Sequence, residues 1–150
     1  MTGPRKKWLL AYAAAGIIFA GIDALWISTV ANTQYRSQIG HLLPANFNVL
    51  GAVLFYVVYV AGIVHYGVRP NDRRATLRNR VGGAALFGFF TYATWALTAF
   101  AILKDFPALV ALTDIAWGAA VCGAATALTT LLLRLRPRSR PTVAHGKQAD

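Results

Sequence analysis

Four stretches of this chain, residues 8–30, 47–68, 81–103 and 109–133, are apolar almost without interruption. Each runs for about 22–25 residues, enough as a helix to cross a hydrocarbon core of about 30 Å. That length decides the fold class. Inside lipid every backbone N–H and C=O must be satisfied within the chain, so a spanning segment is a helix or a barrel strand. Barrel strands are shorter and alternate in polarity, which these stretches do not. The expectation is an all-α membrane protein, a bundle of four transmembrane helices. Composition agrees: 57% hydrophobic, 13% charged and a mean hydropathy of +0.49 lie outside the range of ordinary soluble domains.

The flanks give the spans a direction. Arg5, Lys6 and Lys7 precede the first span, and five arginines from Arg69 to Arg80 lie between the second and third. Arg134, Arg136, Arg138, Arg140 and Lys147 follow the fourth. Of the 15 basic residues, only Arg36 and Lys104 fall on the other side. The positive-inside rule then places both termini in the cytoplasm. The chain divides into a basic N-terminus (1–7), the membrane domain (8–133) and a basic tail (134–150) whose Pro- and Arg-rich composition predicts disorder. The net charge of +10 is therefore a topology signal. No nucleic-acid motif accompanies it, and no nucleic-acid partner is expected. The first apolar stretch is long and interrupted by Asp23, which predicts a retained span rather than a cleaved leader.

All five acidic residues are Asp, and two of them fall inside spans. "GIDALWIS" holds Asp23 with Trp26 three residues on, and "LTDIAWGA" repeats the arrangement with Asp114 and Trp117. Three residues apart on a helix share a face. The first span runs outward and the fourth inward, which puts both pairs roughly 8–11 Å below the outer helix ends. A carboxylate at a helix centre costs about 2.5–3.5 kcal/mol on insertion scales, so it faces the bundle interior and finds a partner. At this level the candidates are Arg36, Lys104, Asn46, Asn48, Tyr92, Thr94 and Thr98. The candidate polar pocket is Asp23, Trp26, Asn48, Tyr92, Thr98, Asp114 and Trp117. Whether it holds a ligand or only locks the helices by hydrogen bonds, each Trp then sitting in an aromatic belt, stays open at this point.

Periodicity predicts which faces surround it. In the second span Asn48, Ala52, Phe55, Tyr59, Gly62 and Tyr66 recur at steps of three and four. In the third, Gly88, Tyr92, Trp95 and Ala99 do the same. Ala84/Gly88 and Ala119/Gly123 are small-xxx-small pairs that let helices approach closely. The polar segment between the first two spans, "ANTQYRSQIGHLLPAN", reads as a turn-rich connection. The short "KDFPA" makes the third and fourth spans antiparallel neighbours.

Catalytic and metal sets are not assigned. Cys122 stands alone in an apolar run and reads as a packing residue. His41, His65 and His145 lack metal-ligand spacing. No Ser/His/Asp or Cys/His set and no phosphate-binding glycine loop is present, so no cofactor is expected.

The segments "DALW", "YRSQIGHLL", "FYVVYVAG", "GFFTYATWALTAFAILKDFP" and "DIAWG" together resemble the DUF2177 family of small bacterial membrane proteins, a family without an established function. The resemblance covers nearly all four spans. It implies an integral four-helix protein of the bacterial cytoplasmic (inner) membrane. In the third span this chain reads Trp95-Ala96-Leu97-Thr98-Ala99 where relatives carry an acid and an amide.

With no positioned acid–base set, the sequence leans away from an enzyme and toward a structural or accessory membrane subunit with a polar ligand site near the outer leaflet. A protein that binds or transports an ion, lipid or small molecule is the alternative, and a lipid- or isoprenoid-modifying enzyme a second. Expected partners are the bilayer, a lipid-like or small cationic ligand, and a second copy or another membrane protein. Against transport, no span contains a proline and no paired helix breaks occur.

Overall fold

A computed structural model describes residues 3–134, apart from 45 and 47. Most of the tail expected to be disordered lies outside the described residues. The protein is all-α, and four of its helical segments are long and apolar enough to cross a membrane.

Helix α1 (Pro4–Trp26) starts on Gly3 with Pro4 in its first turn, where a missing N–H costs nothing. Its buried residues are Ala11, Ala15, Phe19 and Asp23, one ridge at steps of four. The aspartate thus ends a row of core positions.

The first helical segment does not stop where the hydropathy does. It passes through a widened π turn (Ile27–Ala31) into α2 (Asn32–Ile39) and a last 3-10 turn (Gly40–Leu42). The turn-rich connection expected from residue 31 onward is therefore mostly helix. The segment is polar, but α2 contains no proline or glycine, and Arg36 Nε donates to Asn32 Oδ1 one turn back at 2.6 Å. The chain turns extended only at Leu43 (φ −86°, ψ 136°), the residue before Pro44, where proline disfavours helix. Ile39 anchors α2 among Ala96, Ala99, Phe106, Val110 and Ala111.

Helix α3 (Val49–Gly62) is capped by Asn48, whose Oδ1 accepts from Gly51 N at 3.0 Å, and runs on through a second π turn (Ile63–Val68). Its buried face is Tyr59, Val60, Ile63, Val64 and Gly67, with Tyr56 half-buried. Of the face predicted from the sequence, Tyr59 is buried and Ala52 and Gly62 are half-buried, while Asn48, Phe55 and Tyr66 are exposed. Arg69 takes a left-handed conformation (φ 42°) before Pro70 and ends the helix. The buried Arg80 guanidinium then donates to the carbonyls of Val68, Arg69, Asp72 and Ala75, groups left over by the helix end and the following turn.

Helix α4 (Leu77–Ile102), capped by Thr76, and helix α5 (Ala108–Arg134) share the most extensive contact in the fold, as the short connection between them predicts. They are in tight contact where Gly88 meets Gly118. A Cβ on Gly88 would overlap the Gly118 carbonyl and Cys122 Sγ. Of the expected small pairs, Gly88 meets Gly118 and Ala84 meets Gly67 of the second π turn, while Gly123 packs on Val81 and Ala85 of α4. Helix α5 also packs on α1 and on the second π turn, and it is the most enclosed of the four spans.

Candidate functional site

The two Asp-x-x-Trp pairs meet. The Trp117 indole N–H donates to Asp23 Oδ1 at 3.2 Å, and the rings of Trp26 and Trp117 stack with centroids 4.3 Å apart. Antiparallel packing of α1 on α5 produces this, because each pair then presents its i,i+3 face to the other. Asp23 and Asp114 are 5% and 4% exposed. Matched depth, inferred from sequence, becomes direct contact between the pairs, though the two carboxylates take their hydrogen bonds from separate side chains.

Those links come from tyrosines. Tyr56 of α3 donates to Asp23 Oδ2 at 2.7 Å. Tyr35 of α2 sits over Asp114, its hydroxyl 2.6 and 2.7 Å from the two carboxylate oxygens. Gln34 Nε2, one residue earlier, donates to Thr113 Oγ1 at 3.0 Å and fastens α2 to α5 at the same level. Tyr92 of α4 interacts electrostatically with both Asp23 and Asp114. Its hydroxyl has no hydrogen-bond partner among the described residues and is not sealed from the surface. No Lys, Arg or His forms an ion pair with either carboxylate among the described residues.

Of the seven residues singled out from sequence, five converge: Asp23, Trp26, Tyr92, Asp114 and Trp117. Asn48 does not join them, because its side chain is committed to capping α3. Thr98 is exposed, on the side of α4 opposite the buried Ala93, Ala96 and Ala99. Trp95, 61% exposed, also points outward, contrary to its predicted place on the inner face. The basic residues considered as partners are engaged or placed elsewhere: Arg36 bonds Asn32, and Lys104 is exposed.

Tyr35 and Tyr56 were missed. Tyr35 reaches Asp114 only because the helix continues past residue 31. Tyr56 lies next to Phe55, and choosing between adjacent positions needs the helix rotation that tertiary packing sets. A signal existed for both, since a tyrosine near a buried acid is a natural donor.

The π turn begins at Ile27, directly after Trp26. There Ser28 Oγ and Thr29 Oγ1 both donate to the Leu25 carbonyl, at 3.0 and 2.6 Å, which keeps that group satisfied where the helix widens. Such turns are frequent at functional sites. Helices α1 and α3 are thus both interrupted without glycine–proline breaks, a feature hydropathy does not reveal.

Below this level Tyr59 OH lies 2.9 Å from Thr91 Oγ1 and 3.3 Å from Cys122 Sγ. Cys122 is fully buried, in keeping with a packing residue. Among the described residues no group of three or more His, Cys, Asp or Glu gathers to hold a metal. The arrangement has two acids, donors from α2, α3 and α5 and a wall of five aromatic rings. It can accept hydrogen bonds and balance positive charge.

The model of one protein family, described as "Predicted membrane protein (DUF2177)", matches residues 8–131. No curated protein and no solved structure matches the chain.

Proposed function

The chain belongs to the DUF2177 family of predicted membrane proteins, and we propose that it binds a small cationic ligand, free or carried as a lipid head group, at Asp23 and Asp114. One observation carries this reading: two buried carboxylates stand in a membrane bundle, and among the described residues no basic side chain forms an ion pair with either. Intramembrane acids in such a setting mark ligand or ion sites by default. The rings of Trp26, Trp117, Tyr35, Tyr56 and Tyr92 add the negative faces that attract organic cations. By the positive-inside argument the site opens toward the outer leaflet of a cytoplasmic membrane.

The test is a tryptophan-fluorescence titration of the purified protein with tetramethylammonium, paired with native mass spectrometry for co-purified lipid. A saturable change in wild type, lost in Asp23→Asn/Asp114→Asn, supports binding. Retained lipid adducts distinguish a head group from a free cation. An unchanged response in the double variant, or none in wild type, refutes the reading.

A structural or accessory role is the second reading, and a specific observation favours it. Tyr35, Tyr56 and Trp117 already donate to both acids and so tie α2, α3 and α5 together. If that is the whole of their work, the double variant loses folded yield before any binding is read.

A further inference from the structure

Asp114, Gly118, Cys122, Thr126 and Thr130 follow one another at steps of four along α5, and every one is buried. Residues four apart on a helix are neighbours. The row covers about 24 Å at 1.5 Å per residue, most of a hydrocarbon core of about 30 Å. Gly118 contributes no side chain, and the Tyr92 ring fills that place, since a Cβ there would overlap it. The Tyr92 ring thus lies between the Asp114 and Cys122 steps of the row. At the next step Tyr59 OH and Thr91 join the Cys122 thiol.

Beyond Cys122 the row becomes unusual. A helical threonine commonly turns its hydroxyl onto a carbonyl three or four residues back, as Thr91, Thr94 and Thr113 do here. Thr126, Thr129 and Thr130 do not. Their Oγ1 atoms are buried with no hydrogen-bond partner, although the side chains are 0%, 0% and 5% exposed. A buried hydroxyl that nothing meets is unfavourable. Buried water is the usual partner for polar groups of this kind. Thr126 also abuts Gly67, in the second π turn, where a Cβ would collide with the hydroxyl.

We propose that this row is a hydrated proton path. Water held by Thr126, Thr129 and Thr130 passes protons between the aspartate site and the end of the bundle where α1 begins and α5 ends. The titratable groups facing the path are Asp23 of α1, Tyr35 of α2, Tyr56 and Tyr59 of α3, Tyr92 of α4, and Asp114 and Cys122 of α5. The path uses the same aspartates as the ligand site and does not require that a cation bind there.

The test uses the full-length protein in potassium-loaded liposomes. Valinomycin sets a potential that draws protons inward, and a trapped pH-sensitive dye reports acidification. Wild type is expected to acidify faster than protein-free vesicles. Thr126→Val with Thr130→Val cuts the excess rate about tenfold, the scale of one lost hydrogen bond. Thr126→Ser with Thr130→Ser keeps it. Asp114→Asn removes it. The path is refuted if wild type matches protein-free vesicles, or if the valine variant matches wild type. Valine keeps the shape of threonine, and size-exclusion elution checks its fold; should it misfold, wild type against protein-free vesicles and against the serine variant still decides. The tetramethylammonium titration is expected to survive in the valine variant, so failure of the path and failure of the ligand reading are told apart.

Discussion

Trp26 and Trp117 stack at 4.3 Å with their planes 8° apart, while the same Trp117 donates to Asp23, on the turn before Trp26. One indole therefore ties α5 to both members of the α1 pair. Packing and polarity can be separated by two substitutions. Trp117→Phe loses the hydrogen bond and keeps an aromatic ring, and is expected to cost about 1–3 kcal/mol. Trp26→Phe keeps the bond and costs less. Thermal unfolding in one detergent, followed by far-UV circular dichroism, ranks the two.

Tyr35 is the only donor to Asp114 among the described residues. Tyr35→Phe is expected to leave that carboxyl unsatisfied and to loosen α2. Hydrogen exchange over residues 32–39 should rise by about tenfold or more, the scale of a lost hydrogen bond to a buried acid. Exchange in α4 should stay unchanged.

Gly88 and Gly82 lie on the same helix in opposite surroundings. At Gly88 a methyl group meets the Gly118 carbonyl and has nowhere to go, whereas at Gly82 nothing lies within 4 Å. Gly88→Ala is expected to destabilise by about 1–3 kcal/mol or more. Gly82→Ala should stabilise by about 0.5–1 kcal/mol, because alanine is the better helix former. Melting temperatures of the two variants should move in opposite directions.

Asp72 holds the connection between α3 and α4. Its carboxyl is kept below the usual 3.8, first by the backbone N–H of Arg74, then by that of Ala75 and the Arg69 guanidinium. A depressed folded value means the stabilisation is fully present above pH 3.8 and fades as pH falls through the folded value. Asp72→Ala should therefore speed exchange at residues 74 and 75 near neutral pH and converge with wild type in strong acid.

The spans were legible because lipid imposes a length and a composition, and the four apolar stretches satisfy both. The end of the first helix was not, because Asn32 to Ile39 are polar and only the packing of Ile39 and the bonds of Tyr35 and Gln34 show them to be helical. The Asp-x-x-Trp pairs stood out as charges in apolar runs. Their donors did not, since Tyr56 and Phe55 differ by 100° around α3 and nothing local chooses between them. Asn48 and Thr98 share the depth of the pairs, and Asn48 also falls on the periodic face of its span. One serves its own helix end, and the other faces outward.

The enclosure of α5 bears on how the protein is made. Asp23 leaves the ribosome 94 residues before Trp117 does, and Asp114, Cys122 and the three threonines come with that last helix. Until α5 inserts, Asp23 lacks the Trp117 indole and has Tyr56 of α3 as its donor. Synthesis proceeds from the N-terminus, so a chain stalled or truncated before residue 108 carries a membrane-buried acid with half of its donors. That is the kind of defect by which quality-control proteases can tell an unfinished helix from a completed one.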